Sequence, residues 1–97
     1  MDGWPCVRRD CAIIWDGTKV ILFGGWQYSS VYSQDFKNDL WWYVPASNTW
    51  IKEIPENSDG SPPARSYHSM IWDGTKIIMF GGYGFYGYYN DLWWYNP

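Results

Sequence analysis

Charge and cysteine are both scarce in this sequence of 97 residues. Seven lysines and arginines stand against ten aspartates and glutamates, so the formal net charge is -3. Without a basic patch to neutralise phosphates, neither nucleic acid nor an anionic membrane surface is an expected partner. The longest uncharged runs, residues 20–34 and residues 77–90, are both too short to span a bilayer, and the second is also rich in glycine and tyrosine. Since the first residues lack the features of a signal peptide, the default expectation is a cytoplasmic protein.

The two cysteines, Cys6 and Cys11, are too few for a disulfide framework. Joining them requires a turn, because five extended residues separate their Cα atoms by about 16 Å and a disulfide tolerates less than ~7 Å. We therefore favour two small thiols, buried or free. His68 is the single histidine and adds at most a third soft ligand, at a spacing unlike a zinc site. We expect neither a metal nor a cofactor.

Large aromatic rings are abundant instead. Nine tryptophans, nine tyrosines and four phenylalanines make up 23% of the chain. So many rings exclude a disordered segment, because such a chain must bury surface somewhere. The length allows one small domain at most.

The chain consists of two copies of one unit. Residues 8–25 return as residues 65–82, where most positions after the first few are identical and the rest mainly exchange aliphatic residues. A second anchor, residues 38–43 (NDLWWY), returns as residues 90–95. The segment between the anchors is shorter in the second copy, so it is the variable part of the unit.

Each copy shows strand signals and no helical period. Asp16-Gly17 and Asp73-Gly74 separate two β-prone runs, which predicts tight hairpins. The second run of each copy is apolar at consecutive positions, as in a strand covered on both faces, and we expect Gly-Gly to end it. The predicted strands cover residues 11–15, 19–23, 40–43 and 50–54 in the first copy, and residues 70–72, 76–80 and 92–95 in the second. The fold class is therefore all-β, with four short antiparallel strands per unit.

These residues resemble the Kelch repeat, whose units are four-stranded blades of a β-propeller. The resemblance implies one two-blade unit over residues 1–97, with blade 1 at about 8–54, a connector at 55–64 and blade 2 at about 65–97. Its motif residues are Arg8, Gly24, Gly25, Tyr43 and Trp50 in the first copy, and Arg65, Gly81, Gly82 and Tyr95 in the second. The second copy has no counterpart of Trp50, so we expect it to lack its outer strand.

Two blades do not close a ring. Each outer blade would leave an apolar face open to water, which predicts a homo-oligomer in which several chains complete the propeller. Two blades per chain allow a dimer, trimer or tetramer; a cyclic trimer is favoured and a dimer comes second. We also considered Trp4 as a residue that lies along the outer edge of a neighbouring chain's second blade.

Several residues that look catalytic have simpler explanations. Asp16, Asp73, Asp39 and Asp91 recur at equivalent places in turns, where such side chains hydrogen-bond to the local backbone. Arg8 and Arg65 also recur, which indicates buried residues that tie strands together. Residues 82–87 match GxGxxG, but a turn into a strand follows instead of the helix that a dinucleotide site needs.

The loops after Gly-Gly, residues 26–37 and 83–89, differ most between the copies and are aromatic and almost uncharged. The resemblance implies that they line one end of the propeller and bind partners; packing of the rings on each other is an equal alternative. Arg9 aligns with Ser66 in the second copy, so the repeat does not require an arginine there, and Arg9 joins this set. The candidate ligand-binding residues are Arg9, Trp26, Tyr28, Tyr83, Phe85, Tyr86, Tyr88 and Tyr89.

We therefore predict a non-catalytic interaction module that presents these loops to a peptide, a protein or a carbohydrate. One alternative is a sugar-active enzyme of the epimerase type. A copper-dependent oxidase would need a cluster of tyrosine, histidine and cysteine, and the single histidine argues against it. Another alternative is a minimal or designed propeller, or a fragment, with no ligand of its own.

Overall fold

A computed structural model describes residues 3–27 and 35–97. All regular structure in these two ranges is β, and neither contains a helix long and apolar enough to cross a membrane. The strands are β1 (Ala12–Trp15), β2 (Val20–Phe23), β3 (Trp26–Gln27), β4 (Asp35–Phe36), β5 (Leu40–Val44), β6 (Thr49–Ile54), β7 (Ser69–Trp72), β8 (Ile77–Gly84) and β9 (Gly87–Tyr95). This confirms the all-β class.

The first sheet is a four-stranded antiparallel meander in the order β1-β2-β5-β6. The predicted hairpin joins β1 to β2, where Asp16 N–H donates to the Lys19 carbonyl at 3.1 Å. The Asp16 carboxylate accepts the amides of Thr18 and Lys19, both at 2.9 Å. Gly17 has a φ of 104°, which an L side chain rarely adopts. The Asp-Gly signal was therefore correct.

The second sheet has the order β7-β8-β9, and all its pairs are antiparallel. No strand within residues 3–27 and 35–97 pairs with the other side of β9. A separate two-stranded ribbon, β3 with β4, projects from the first sheet between β2 and β5.

The prediction that Gly-Gly ends the second strand holds in only one copy. In the first sheet β2 stops at Phe23, because Gly25 N–H donates to the Arg65 carbonyl of the second copy at 2.9 Å instead of continuing the ladder. In the second sheet β8 runs on through the glycines to Gly84, with a shift in register between Phe80 and Gly82. The predicted loop at residues 83–89 is therefore the tip of a long hairpin.

The hydrophobic core lies between the two sheets. Its buried centre is formed by Ile21, Phe23, Leu40, Ile77 and Met79. Partly buried residues pack around it: Ile14, Trp42, Ile54, Met70, Trp72, Trp93 and Tyr95. Side chains at alternate positions of a strand share a face, so each sheet uses one face for this contact and turns the other face outward.

Gly82 offers a test of the Gly-Gly element. It has a φ of 111°, and a Cβ there would lie 2.8 Å from the Ser66 carbonyl oxygen. Gly74 is a matched control, because its φ of 104° is similar but a Cβ would meet nothing within 4 Å. We expect Gly82→Ala to lower the free energy of unfolding by at least about 1 kcal/mol more than Gly74→Ala does. Equal losses in urea denaturation would show that close approach is not a constraint at Gly82.

Candidate functional site

In the first repeat a buried arginine, Arg8, connects the segment before β1 with the residues that follow β2 and precede β5. Arg8 donates to both carboxylate oxygens of Asp39, at 2.6 and 3.0 Å, and to the Gly24 carbonyl at 3.1 Å. Trp41 Nε1 donates to the same carboxylate at 2.8 Å. Burial alone would raise the pKa of Asp39, but the hydrogen bonds from Arg8 and Trp41 outweigh it and hold this pKa below its ordinary value.

The second copy repeats this network, but its carboxylate is more exposed to solvent. Arg65 donates to Asp91 at 2.6 and 2.8 Å and to the Gly81 carbonyl at 2.8 Å, while Trp93 Nε1 donates to Asp91 at 2.7 Å. The hydrogen bonds from Arg65 lower the pKa of Asp91. The side chain of Asp39 is fully buried, whereas that of Asp91 is 35% exposed.

The assignment of Asp39 and Asp91 to local turns was therefore incomplete, because their main partners are a distant arginine and an indole. The assignment was correct for Asp16 and Asp73. Asp73 accepts the amides of Thr75 at 2.9 Å and Lys76 at 2.8 Å, as Asp16 does in its own hairpin. All four carboxylates thus have partners that belong to the fold.

Directly after each buried arginine, the chain enters a cleft between the two sheets. The cleft has a volume of about 150 Å³ and brings together three of the candidates, Arg9, Trp26 and Tyr83. The guanidinium of Arg9 lies 4.5 Å from the centroid of the Trp26 ring, and its side chain is 69% exposed. It also approaches Asp10 at 3.5 Å. Arg9 therefore presents a cation, with one face on an indole, at the mouth of the cleft.

The second copy supplies the opposite wall. Ser66 and Tyr83 exchange backbone hydrogen bonds at 2.8 Å, at positions equivalent to Arg9 and Trp26. The Tyr83 ring contacts Phe36 of β4 at 5.8 Å between centroids. Tyr67 is exposed at the rim, and its N–H donates to the Asp10 carbonyl across the two sheets at 2.9 Å. The cleft thus lies at the junction of the two copies.

The other candidate residues lie outside this cleft. Tyr88 and Tyr89 line a wider groove on the second sheet, which shares Tyr67 and Tyr83 with the cleft. The Phe85 ring packs edge-on against Phe36 at 4.9 Å between centroids, and the residue is exposed. Tyr86 projects from the tip of the β8–β9 hairpin and is exposed. Tyr28 lies outside the described residues.

Sequence reasoning missed Asp10, Phe36, Ser66 and Tyr67, although all four line the cleft. Asp10 and Tyr67 occupy equivalent positions in the two copies, and both have left-handed backbone, with φ of 57° and 61°. Such a conformation is unusual for a tyrosine and often marks a functional site. Aligning the copies shows that the two positions correspond, but nothing in the residue types reveals their backbone conformation.

The cysteines and the histidine do not form a metal centre. Cys6 and Cys11 are free thiols, and within the described ranges no three side chains of histidine, cysteine, aspartate or glutamate converge into a set that could bind a metal. His68 lies immediately before β7 and is buried between the sheets. Its Nε2–H donates to the Phe23 carbonyl at 2.8 Å, and its ring meets the Phe23 ring edge-on at 5.5 Å.

Sequence comparison finds known proteins that are similar to this chain. A model of the KLHDC2/KLHL20/DRC7 Kelch-repeats domain matches residues 2–97. A Kelch repeat-containing protein of Arthroderma benhamiae is 36% identical over 80 residues, which cover 81% of this chain and 12% of the relative. Host cell factor 2 of Homo sapiens is 32% identical over 74% of this chain and 8% of its own length. Tip elongation aberrant protein 1 of Schizosaccharomyces pombe is 31% identical over 84% of this chain and 7% of its own length. The chain thus spans only a small part of these relatives.

His68 predicts how stability depends on pH. Burial, with a smaller effect of the nearby charge of Arg65, lowers the pKa of His68 to about 4, although the hydrogen bond to the Phe23 carbonyl acts in the opposite direction. Because the unfolded chain binds this proton near the ordinary pKa of about 6.5, the stabilisation is complete above that pH and is lost as the pH falls towards 4. We expect Tm to decrease between pH 7 and pH 4.5, and His68→Gln to flatten this part of the profile. An unchanged slope in the variant would contradict the assignment.

Proposed function

This chain belongs to the Kelch-repeat family, and from that premise we propose that it is a non-catalytic interaction module that binds an extended polypeptide segment in the cleft between its two repeats. The observation that carries the proposal is the composition of the cleft. Both repeats contribute a wall, and the side chains at the mouth are an arginine on an indole and an exposed tyrosine.

The chemistry of the walls favours a peptide. Trp26 and Tyr83 offer apolar ring surface beside the buried Phe36, while Arg9 keeps hydrogen-bond donors available at the edge of its stacked guanidinium. Rigid aromatic side chains with a few polar groups are common in surfaces that recognise peptides, because little side-chain entropy is lost on binding. The same rings would also stack on a sugar, so carbohydrate is the second candidate ligand.

The backbone at the rim supports the same assignment. Asp10 and Tyr67 keep their left-handed conformation while the Tyr67 amide bonds to the Asp10 carbonyl. A conformation that costs of order 1–3 kcal/mol persists only where the surroundings impose it. At Tyr67 this conformation leaves the ring exposed at the rim of the cleft, where a ligand can contact it.

A catalytic role has little support among the described residues. Proton transfer needs a titratable group that faces the substrate, but the recurring carboxylates are occupied by arginine, indole and turn amides. Asp10 is the acidic residue of the cleft, and it already lies beside Arg9. Sugar-active chemistry remains the alternative to binding.

A peptide and glycan array on the purified chain tests this proposal. For the strongest hit, we expect Arg9→Ala and Tyr67→Asn each to weaken binding at least tenfold; asparagine is chosen because it tolerates the left-handed backbone of Tyr67. Lys76→Ala removes a cation beside the Asp73 hairpin, away from the cleft, and should leave affinity unchanged. Hits that bind both cleft variants as well as the original chain would rule out this cleft, and turnover of a glycan would favour the enzyme.

We further propose that the propeller is completed by self-association. The outward face of the second sheet carries exposed Ile71, Phe80, Leu92 and Trp94. These residues are the repeat equivalents of Ile14, Phe23, Leu40 and Trp42, which the first sheet packs against the second. The intrachain contact is therefore a template for a head-to-tail contact with the next chain, and the six-blade trimer is favoured over the dimer.

Light scattering at micromolar concentration tests the assembly. We expect a closed oligomer, most simply a trimer, that Leu92→Glu converts to smaller species because it places a charge on the outward face. Val7→Glu is the control, since Val7 is exposed on the N-terminal segment and should leave the mass unchanged. A well-folded monomer of the original chain would refute self-association.

A further inference from the structure

Three aspartate–glycine pairs lie wholly within the described residues, namely Asp16-Gly17, Asp59-Gly60 and Asp73-Gly74. An aspartate rearranges most readily before a glycine, because glycine has no side chain to hinder its amide nitrogen as it approaches the neighbouring carboxyl group. The carboxyl group must be free to turn towards that nitrogen, and it must carry a proton so that its hydroxyl can leave as water. The reactivity of each pair therefore depends on how the fold holds its carboxyl group.

In the two hairpins the carboxyl group is held by several donors. Asp16 accepts the backbone amides of Thr18 and Lys19 at 2.9 Å and the Lys19 ammonium at 2.8 Å. Asp73 accepts the same set of bonds, including that from the Lys76 ammonium at 2.8 Å. Burial alone would raise the pKa of Asp16, but the hydrogen bonds from Lys19 and Thr18 outweigh it and lower this pKa to about 2. The hydrogen bonds from Lys76 also lower the pKa of Asp73, so both hairpins keep their carboxyl groups fixed and ionised.

The carboxyl group of Asp59 is not held in this way. The residue is exposed, and no donor within residues 3–27 and 35–97 bonds to its carboxyl group. Asp59 and Gly60 are the central residues of a turn that is closed by the Ser61 N–H, which donates to the Ser58 carbonyl at 3.2 Å. The φ of 81° at Gly60 is that of the third residue of a type II turn, whose own N–H takes no part in the closing bond. Both reacting groups are therefore free to meet.

We propose that the fold directs spontaneous isoaspartate formation to Asp59-Gly60. The Gly60 nitrogen attacks Cγ of the protonated Asp59 carboxyl group, an N–Cγ bond forms, and water leaves, which gives a five-membered succinimide. Hydrolysis then adds one water. Breaking the N–Cγ bond restores aspartate, whereas breaking the bond from that nitrogen to the Asp59 backbone carbon leaves the chain linked through Cγ, with the former backbone carbonyl as a free carboxylate. Water is the only co-reactant, and the mass of the chain does not change.

The modified turn lies where the connector between the repeats covers the hydrophobic core. Asn38 holds the connector on both sides of the turn, because its Oδ1 accepts the Asn57 amide at 2.8 Å and its Nδ2 donates to the Pro62 carbonyl at 3.1 Å. Gly60, Ser61 and Pro62 line a mostly apolar cavity of about 130 Å³ between the two sheets. An isoaspartate adds one methylene to the main chain between the two bonds to Asn38, so this part of the connector has to change shape. The modification therefore loosens the cover over the contact between the repeats.

The site is tested by incubating the full chain for several weeks at about 37 °C and about pH 6, then digesting it and quantifying isoaspartate at each pair by electron-transfer mass spectrometry. We expect about fivefold or more isoaspartate at Asp59 than at Asp16 or Asp73, because only the hairpins hold their carboxyl groups ionised. A parallel sample in concentrated urea should lose this difference. Equal amounts at the three pairs of the folded chain would overturn the proposal, and so would the same excess at Asp59 in urea, since the local sequence would then be its cause.

A matched variant tests whether the hairpin bonds protect their aspartates. Lys76→Ala removes the ammonium from the Asp73 carboxylate and leaves the turn at Asp59 unchanged. We expect isoaspartate at Asp73 to rise about threefold or more in this variant, while the amount at Asp59 stays the same. No rise at Asp73 would contradict the protection on which the proposal depends.

The effect on the connector is tested by thermal unfolding of the incubated chain. Its isoaspartate form, separated from the original chain by chromatography, should have a Tm several degrees lower. Asp59→Glu is the control, because a glutamate at this exposed position keeps the charge but would have to close a larger ring, so incubation should leave its Tm unchanged. An equal Tm of the isoaspartate form and the original chain would refute the loosening of the connector.

Discussion

The buried arginine–carboxylate–indole network is the interaction on which the rest of this structure depends. In each repeat one guanidinium satisfies a carboxylate and a glycine carbonyl, and the carboxylate also accepts an indole N–H. Removing one member of the Arg8–Asp39 pair, in which both side chains are buried, costs about 3–5 kcal/mol, because the remaining charge stays uncompensated. The network therefore tolerates little change. In the first repeat it fixes the position of the segment that leads into β1 relative to the start of β5.

The cleft follows directly from this constraint. Arg9 and Asp10 come next after Arg8, and Ser66 and Tyr67 come next after Arg65, so each network determines the position of one wall. The first glycine pair allows the two repeats to approach, because a Cβ on Gly24 would lie 2.8 Å from the Arg65 carbonyl oxygen and 2.8 Å from Cε1 of His68. The two networks thus hold the backbone of the candidate site in place, although its exposed side chains are not part of the hydrophobic core.

Differences between the repeats are as informative as their common features. The first repeat has a fourth strand and buries the Asp39 side chain completely, whereas in the second repeat the described residues form three strands and the Asp91 side chain is 35% exposed. Equivalent apolar faces of the two sheets show the same asymmetry. The face of the first sheet with Phe23 and Leu40 packs on the second sheet, whereas the equivalent face of the second sheet, with Phe80 and Leu92, is exposed. A repeat array stabilises each unit through its neighbours, and the packing of the first sheet on the second is such a contact.

The sequence by itself determined what depends on near neighbours along the chain. The Asp-Gly hairpins, the apolar strands, the duplication and the family all follow from turn chemistry and periodicity within a few residues. Tertiary structure alone decided which arginine meets which carboxylate, where Phe36 and Tyr67 lie, and why β8 continues through its glycines while β2 stops. Those outcomes depend on contacts such as Arg8 with Asp39 and Gly25 with Arg65, whose partners are tens of residues apart. Only the packing of one sheet on the other brings such groups together, and no local pattern encodes it.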